Sequence, residues 1–306
     1  MTETTAAEPA VRFGCFLSQA SRTWAQVLDD FLLAEDLGFD HAWLVDHLVD
    51  TGGSPDLPCL EAWTLLSALA ARTSRIRLGV LVSSNTFRQP AILAKEAVTV
   101  DHVSGGRLIL GLGTGWHVDE HRRFGIDLPA PGERVDRLEE AIVAIRSLMA
   151  QPRTTVEGRY YRLDDAPFEP RPVQAHIPLL IAAHRPRMLR LAARYADQWD
   201  TFGTLPGTAT DGLEASLADR IRAFDAACAE VGRDPSEIRR STWVGPEMYA
   251  SPRAFADFVR AHRALGFTDF SIERPPAGRV DLLERLARET IPALRIEFAG
   301  SSAPPA

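Results

Sequence analysis

Short apolar runs recur along the chain, over residues 11–17 (VRFGCFL), 41–45, 76–82, 107–112, 178–182, 197–202, 238–244 and 268–272. Between them the apolar residues fall at helical spacing, over 24–38, 61–72, 90–103, 186–195, 214–231, 254–265 and 282–297. The runs are nearly continuous rather than alternating, which is how strands covered on both faces read. Alternation of strand and helix, about eight times over, predicts the α/β class and a (β/α)8 TIM barrel. Residues 117–176 break the rhythm: a helix over 134–149 stands among proline-rich segments. This predicts an insertion after strand four, of the kind that serves function rather than fold.

Length and charge narrow the picture. A barrel of this kind takes roughly 250 residues. With 306 residues, the chain is expected to form a single barrel domain over 11–298, with disordered tails at 1–10 and 299–306. The first ten residues have no basic start and no apolar run, so no signal peptide is read there. No apolar stretch reaches bilayer-spanning length. The formal net charge of -7 offers no basic face to nucleic acid, so an anionic small molecule must be held by local arginines. Cys15, Cys59 and Cys228 are far apart with no CxxC spacing, which suggests neither a disulfide framework nor a metal site. A reducing cytoplasm is the expected location.

Polar residues collect where the runs end, the edge of a parallel barrel at which ligands bind. Asp46 and His47 follow the second run. A histidine there either exchanges protons near neutral pH or hydrogen-bonds a neighbour; Asp46 either positions a ring edge or caps the loop. The third run leaves through Ser83, Ser84 and Asn85, either as backbone facing a pocket or as a turn with Asn85 or Thr86 as N-cap. Glu61 and Trp63, after the loop that follows strand two, are further candidates for that pocket. GLGTGW at 111–116 lacks the spacing of a dinucleotide fingerprint. Gly113, Thr114 and Gly115 read as room for backbone to approach a flat ring, and Trp116 as a wall of the substrate pocket or as core.

The segment 182–197, AAHRPRMLRLAARYAD, offers an anion site. A loop of small residues opens a helix at Pro186, whose first amides and macrodipole attract phosphate. Arg185, Arg187, Arg190 and Arg194 add charge, with Arg88 at the same mouth; the plain alternative is solvated arginine. His41, His102, His117, His121, His176 and His262 read as surface or loop residues. The pairs Glu139–Glu140 and Asp164–Asp165 read as solvated charge.

LVDHLV at 44–49, the run NTFRQPAILAKEAVTVDHVSGGRLILGLGTGW at 85–116, and AAHRPRMLRLAARYADQWD at 182–200 together resemble the bacterial luciferase-like family. The resemblance spans about residues 11–298 and is strongest to the branch that uses coenzyme F420, a 5-deazaflavin. It implies that His47 is the active-site histidine. It also implies a non-proline cis peptide near Leu81–Val82 or one residue later, before Ser84, supporting the cofactor ring. The backbone amides of Ala182, Ala183 and His184 would hold the cofactor phosphate, although relatives often carry glycines there. Trp116 stands where some sugar-phosphate dehydrogenases of the family carry a catalytic glutamate, and dimers are common among relatives. The expected function is hydride transfer between F420 and a small organic substrate. The alternatives are an FMN-dependent monooxygenase on the same fold and a non-catalytic flavin- or deazaflavin-binding protein.

Overall fold

A computed structural model describes residues 10–202, 216–245, 251–276 and 278–299. Of the tails expected over 1–10 and 299–306, residues 1–9 and 300–306 lie outside these residues, as does the start of the helix expected over 214–231. The chain begins with β1 (Arg12–Phe16), α1 (Trp24–Asp36), β2 (His41–Leu44), α2 (Ala62–Arg72), β3 (Arg77–Val80), β4 (Ser83–Ser84), α3 (Pro90–Ser104) and β5 (Leu108–Gly113). An insertion follows: α4 (Val118–Phe124), α5 (Pro131–Ala150), β6 (Arg153–Glu157) and β7 (Arg162–Pro167). Then come β8 (Leu179–Ala182), α6 (Pro186–Tyr195), β9 (Gln198–Asp200), α7 (Leu217–Glu230), β10 (Arg239–Val244), α8 (Pro252–Arg263), β11 (Asp269–Glu273), α9 (Val280–Arg285) and α10 (Ile291–Phe298).

The main sheet runs β3-β2-β1-β11-β10-β9-β8-β5, and β5 pairs again with β3. Eight parallel strands thus close a TIM barrel among the described residues, as expected. β4 prolongs the line of β3 along β5, with Ser83 opposite Leu112. Local chemistry sets the helix ends. Thr23 and Gln26 form a capping box on α1. Pro90 opens α3, where its missing N–H costs nothing, and Gly105, at φ 67°, ends it.

Side chains alternate across each strand. Phe13 packs outward on Phe255 of α8, ring centroids 6.2 Å apart. Phe16 turns inward to the cluster of Trp43, Ile109 and Leu180, joined by Leu81 and Val82. A Cβ on Gly14 would come within 2.0 Å of the His41 ring, and one on Gly79 within 2.7 Å of Trp43, so these glycines make room for the two large inner side chains. Nearer the strand starts the interior is polar. Asp269 takes Arg12 at 2.5 Å and Arg239 at 2.7 Å, and His41 Nε2 lies 3.1 Å from Ser271 Oγ. Burial disfavours charge on Asp269, but Arg12 and Arg239 hold its carboxyl well below the ordinary range. The N-terminal ends are therefore tied together, and the site is built at the other end. His41, His121 and His262 are buried, which corrects their reading as surface or loop residues.

The insertion is more ordered than its prolines suggest. α5 packs between α3 and α6 and takes the ring position of the helix after strand four. β6 and β7 form an antiparallel hairpin that the sequence did not announce, because β7 (RLDDAP) is mostly exposed and does not alternate. Glu140, read as solvated charge, accepts the amides of Arg159 at 2.7 Å, Tyr160 at 2.8 Å and Tyr161 at 3.1 Å, and so pins the hairpin loop. The single closing helix expected over 282–297 is interrupted by a wider π turn, Leu286–Thr290, ahead of α10. Pro292, which cannot donate in a helix interior, sits in the first turn of α10 instead.

Candidate active site at the barrel mouth

The chain leaves β2 through Asp46 and His47. His47 Nδ1 lies 3.0 Å from Glu120 Oε2, on α4, and the Glu120 side chain is fully buried. A carboxylate only accepts, so Nδ1 carries the proton and Nε2 is the nitrogen left to exchange one. Glu120 also accepts the amides of Leu48 and Val49, the latter at 3.2 Å. Burial alone would raise its pKa, but the His47 hydrogen bond and these amides bring it below the ordinary value, so it is ionised at neutral pH. Trp116 is 62% exposed and stands edge-on to His47, centroids 5.7 Å apart. That excludes the core reading and places Trp116 beside His47. His117 caps α4, its Nδ1 accepting the Glu120 amide at 3.2 Å.

Glu120 was missed in the sequence. It lies in the first turn of α4, in a stretch read only as loop, and no local signal marked it as a partner of His47.

The third strand carries a cis peptide at Leu81–Val82, within the expected interval. The Ser84 amide donates to Asp46 at 2.7 Å, and Asp46 also takes Arg88 in a two-pronged pair at 2.6 and 3.0 Å. Asp46 was expected either to position a ring edge or to cap the loop; it is buried, with its carboxylate on Ser84 and Arg88, and it ties the second strand end to the third. Glu61 caps α2 and pairs with Arg88 at 2.5 Å. Trp63 is buried and donates to Ser83 Oγ at 3.2 Å. Neither faces a pocket in the sense expected.

The glycines of 111–116 make room for the neighbouring strand end as well. A Cβ would come within 2.1 Å of Val80 O at Gly111, 2.5 Å of Val82 Cγ2 at Gly113, and 2.5 Å of both Ser84 Oγ and Thr86 Oγ1 at Gly115. They admit the neighbouring strand end. Thr114, half-buried beside them, donates its hydroxyl to the Gly115 carbonyl at 3.4 Å. A cleft of about 660 Å³ lies alongside, between Asn85–Gln89 and the insertion residues Glu133, Arg137 and Tyr161.

At the fifth barrel strand, Ala182 ends β8 and the Ala183 amide donates to Asp200 O at 3.0 Å. That amide is engaged and is not available to a phosphate, which corrects one of the three expected contacts. No side chain caps α6. Of the arginines expected to form a basic rim, Arg187 pairs with Asp136, Arg194 with Glu139 at 2.9 Å, and Arg88 with Asp46. Arg185 and Arg190 remain exposed. His184 Nδ1 lies 3.0 Å from Thr201 Oγ1 and 3.2 Å from Arg220 Nη1. Burial first, and Arg220 second, push its pKa down to about 4, so the ring is neutral.

Comparison with known proteins places this geometry. The chain is 38% identical over 217 residues to an F420-dependent glucose-6-phosphate dehydrogenase of Microbacterium testaceum, covering 69% of this chain and 62% of that protein. It is 31% identical over 313 residues to the enzyme of the same name from Beutenbergia cavernae, covering 86% and 91%. In the first case the match spans less than two thirds of the relative's length. Among solved structures, an F420-dependent secondary alcohol dehydrogenase in complex with an F420-acetone adduct superposes with a TM-score of 0.78 at 20% identity, over 93% of this chain and 99% of that one; at that identity the likeness is one of fold. The profile of the luciferase-like monooxygenase family matches residues 10–272, and the chain belongs to that family.

Proposed function

We propose that this protein is an oxidoreductase that moves a hydride between coenzyme F420 and a small organic alcohol or carbonyl compound. The pairing of half-buried His47 with the buried Glu120 at the barrel mouth carries this reading. The residues present suit the cofactor. Arg187 and Met188, in the uncapped first turn of α6, have amides with no intrahelical acceptor, at the positive end of the helix. Ala182 and His184 complete the loop that would face the phosphate. Leu81, Val82, Ser84 and the Gly113–Gly115 strand end form the backbone platform for a flat ring.

When bound, the deazaflavin supplies the carbon that gives or takes the hydride. His47 takes the hydroxyl proton as a substrate alcohol is oxidised and returns it in the reverse direction. Glu120 holds the Nδ1–H and stabilises the imidazolium that forms. Trp116 walls the site beside the histidine. Relatives named as sugar-phosphate dehydrogenases suggest a phosphorylated alcohol as one substrate class. Trp116, at the position where the family resemblance puts a catalytic glutamate in some sugar-phosphate dehydrogenases, argues for a different one, because the nearby carboxylate, Glu120, is committed to His47.

Titration with F420 and FMN tests the cofactor. F420 is expected to bind more tightly, with a gap that narrows as salt rises. Reduced F420 is then expected to turn over with some member of a panel of ketones and aldehydes. Tighter FMN binding at every salt concentration would promote the monooxygenase reading. F420 binding with no turnover across the panel would leave a binding protein.

A further inference from the structure

Arg220 of α7 is a buried, charged side chain near the mouth that the function above does not use. It is 1% exposed. Its Nη1 donates to Thr201 Oγ1 at 2.8 Å and lies 3.2 Å from His184 Nδ1, while Nε and Nη2 have no partner among the described residues. Arg12 and Arg240, also buried, are matched by Asp269 and Asp225, and the half-buried Arg88 by Asp46. No carboxylate pairs with Arg220 among the described residues, and burial alone lowers its pKa. A buried cation without a counter-charge is costly, and a bound anion would offset that cost.

The neighbouring groups lead to such an anion. A guanidinium has no acceptor, so His184 Nδ1, facing Arg220 Nη1 and the Thr201 hydroxyl, must be an acceptor. The ring proton then sits on Nε2, which has no protein hydrogen-bond partner among the described residues. His184 lies two residues before Pro186, where α6 begins with no side-chain cap. A buried positive charge, a neutral N–H donor of fixed tautomer and an uncapped helix start thus converge on one loop.

We propose that Arg220 is the counter-charge of a phosphate-ester site at the start of α6, acting through His184, whose tautomer it fixes. The ester is either the phosphodiester of the cofactor or the phosphate of a substrate. The first source rests on the F420 reading; the second does not. Arg220 is on this view a positioning residue.

The test uses the full chain, Arg220→Met and Arg220→Lys, with three probes: F420, the same deazaflavin lacking its phosphate side chain, and glucose 6-phosphate. Binding is followed by calorimetry and folding by thermal melts. Arg220→Met is expected to weaken F420 by about tenfold or more, the scale of a charge-assisted contact. It should leave the phosphate-free deazaflavin within about twofold. It should melt no lower than the parent, since an uncompensated buried charge has been removed. Arg220→Lys should recover most of the F420 affinity. Weakening confined to glucose 6-phosphate would support the site and assign the ester to the substrate.

Unchanged affinity of Arg220→Met for both phosphate-bearing probes would overturn the proposal. So would equal loss of both deazaflavins with a lower melting temperature, which marks a merely structural role. If the parent chain binds neither deazaflavin, the cofactor reading falls on its own. The same variants titrated with inorganic phosphate then decide the site, and affinity independent of Arg220 overturns it.

Discussion

On the proposed mechanism His47 and Glu120 divide the work of one proton transfer, and their separate contributions can be measured. His47→Ala removes the exchanging nitrogen and should lower turnover by roughly 10²–10⁴-fold, with F420 affinity changing much less. Glu120→Gln keeps an acceptor for the Leu48 and Val49 amides but removes the negative charge beside Nδ1. It should therefore lower turnover in the same direction while the protein stays folded. Steady-state kinetics beside a separate F420 titration tells the two effects apart. Turnover unchanged in His47→Ala would remove this residue from the mechanism, and parental turnover in Glu120→Gln would reduce the carboxylate to a loop anchor.

At the scale of elements, the mouth depends on how closely β5 passes the end of the third strand. Gly111, Gly113 and Gly115 lie against Val80, Val82, Ser84 and Thr86 with no space for a side chain. The Ser84–Asp46–Arg88 chain fixes the same strand end from the β2 side. Gly113→Ala would place a methyl 2.5 Å from Val82 Cγ2. Overpacking of that kind costs about 1–3 kcal/mol. We expect a lower urea midpoint with an unchanged slope, and weaker F420 binding, because the strand end must shift to relieve the contact. A variant as stable as the parent would show that Val82 can move freely and that the platform is not fixed by packing.

At the scale of the whole molecule, two buried groups inside the barrel respond to pH in opposite directions. Burial pushes His41 down to about 3, against about 6.5 when unfolded. The folded chain therefore keeps it neutral, and its contribution to stability is lost as pH falls below the unfolded value. Burial pushes Asp200 up to about 7, opposed by a hydrogen bond from Ser241, against about 3.9 when unfolded. The folded chain holds that proton, so this group costs stability as pH rises from about 4 to 7. Between pH 4 and 6.5 the two slopes oppose each other, each about 1.4 kcal/mol per pH unit. Asp200→Asn leaves only the His41 slope from this pair. Denaturant melts across that range should show the variant losing stability on acidification more steeply than the parent, by about one proton's slope. Parallel curves would sink the account.

The alternation of continuous apolar runs with helical periodicity was enough to determine the barrel, because strands covered on both faces and amphipathic helices leave distinct traces in a linear chain. The strand ends were legible for the same reason: His47, Trp116 and the α6 loop had to fall at the mouth once the strand count was right. Which carboxylate serves His47, and which buried arginine has no carboxylate beside it among the described residues, was not legible. Glu120 reaches His47 across 73 residues of sequence, and Arg220 reaches His184 across 36. Such pairings depend on which side chains the closed barrel buries together, and no local propensity encodes them. The same holds for the arginines expected to form a basic rim. Their charges were visible in the sequence, but only the packing of α5 against α6 showed that Asp136 and Glu139 take up Arg187 and Arg194, because long-range ion pairing is decided by proximity in space.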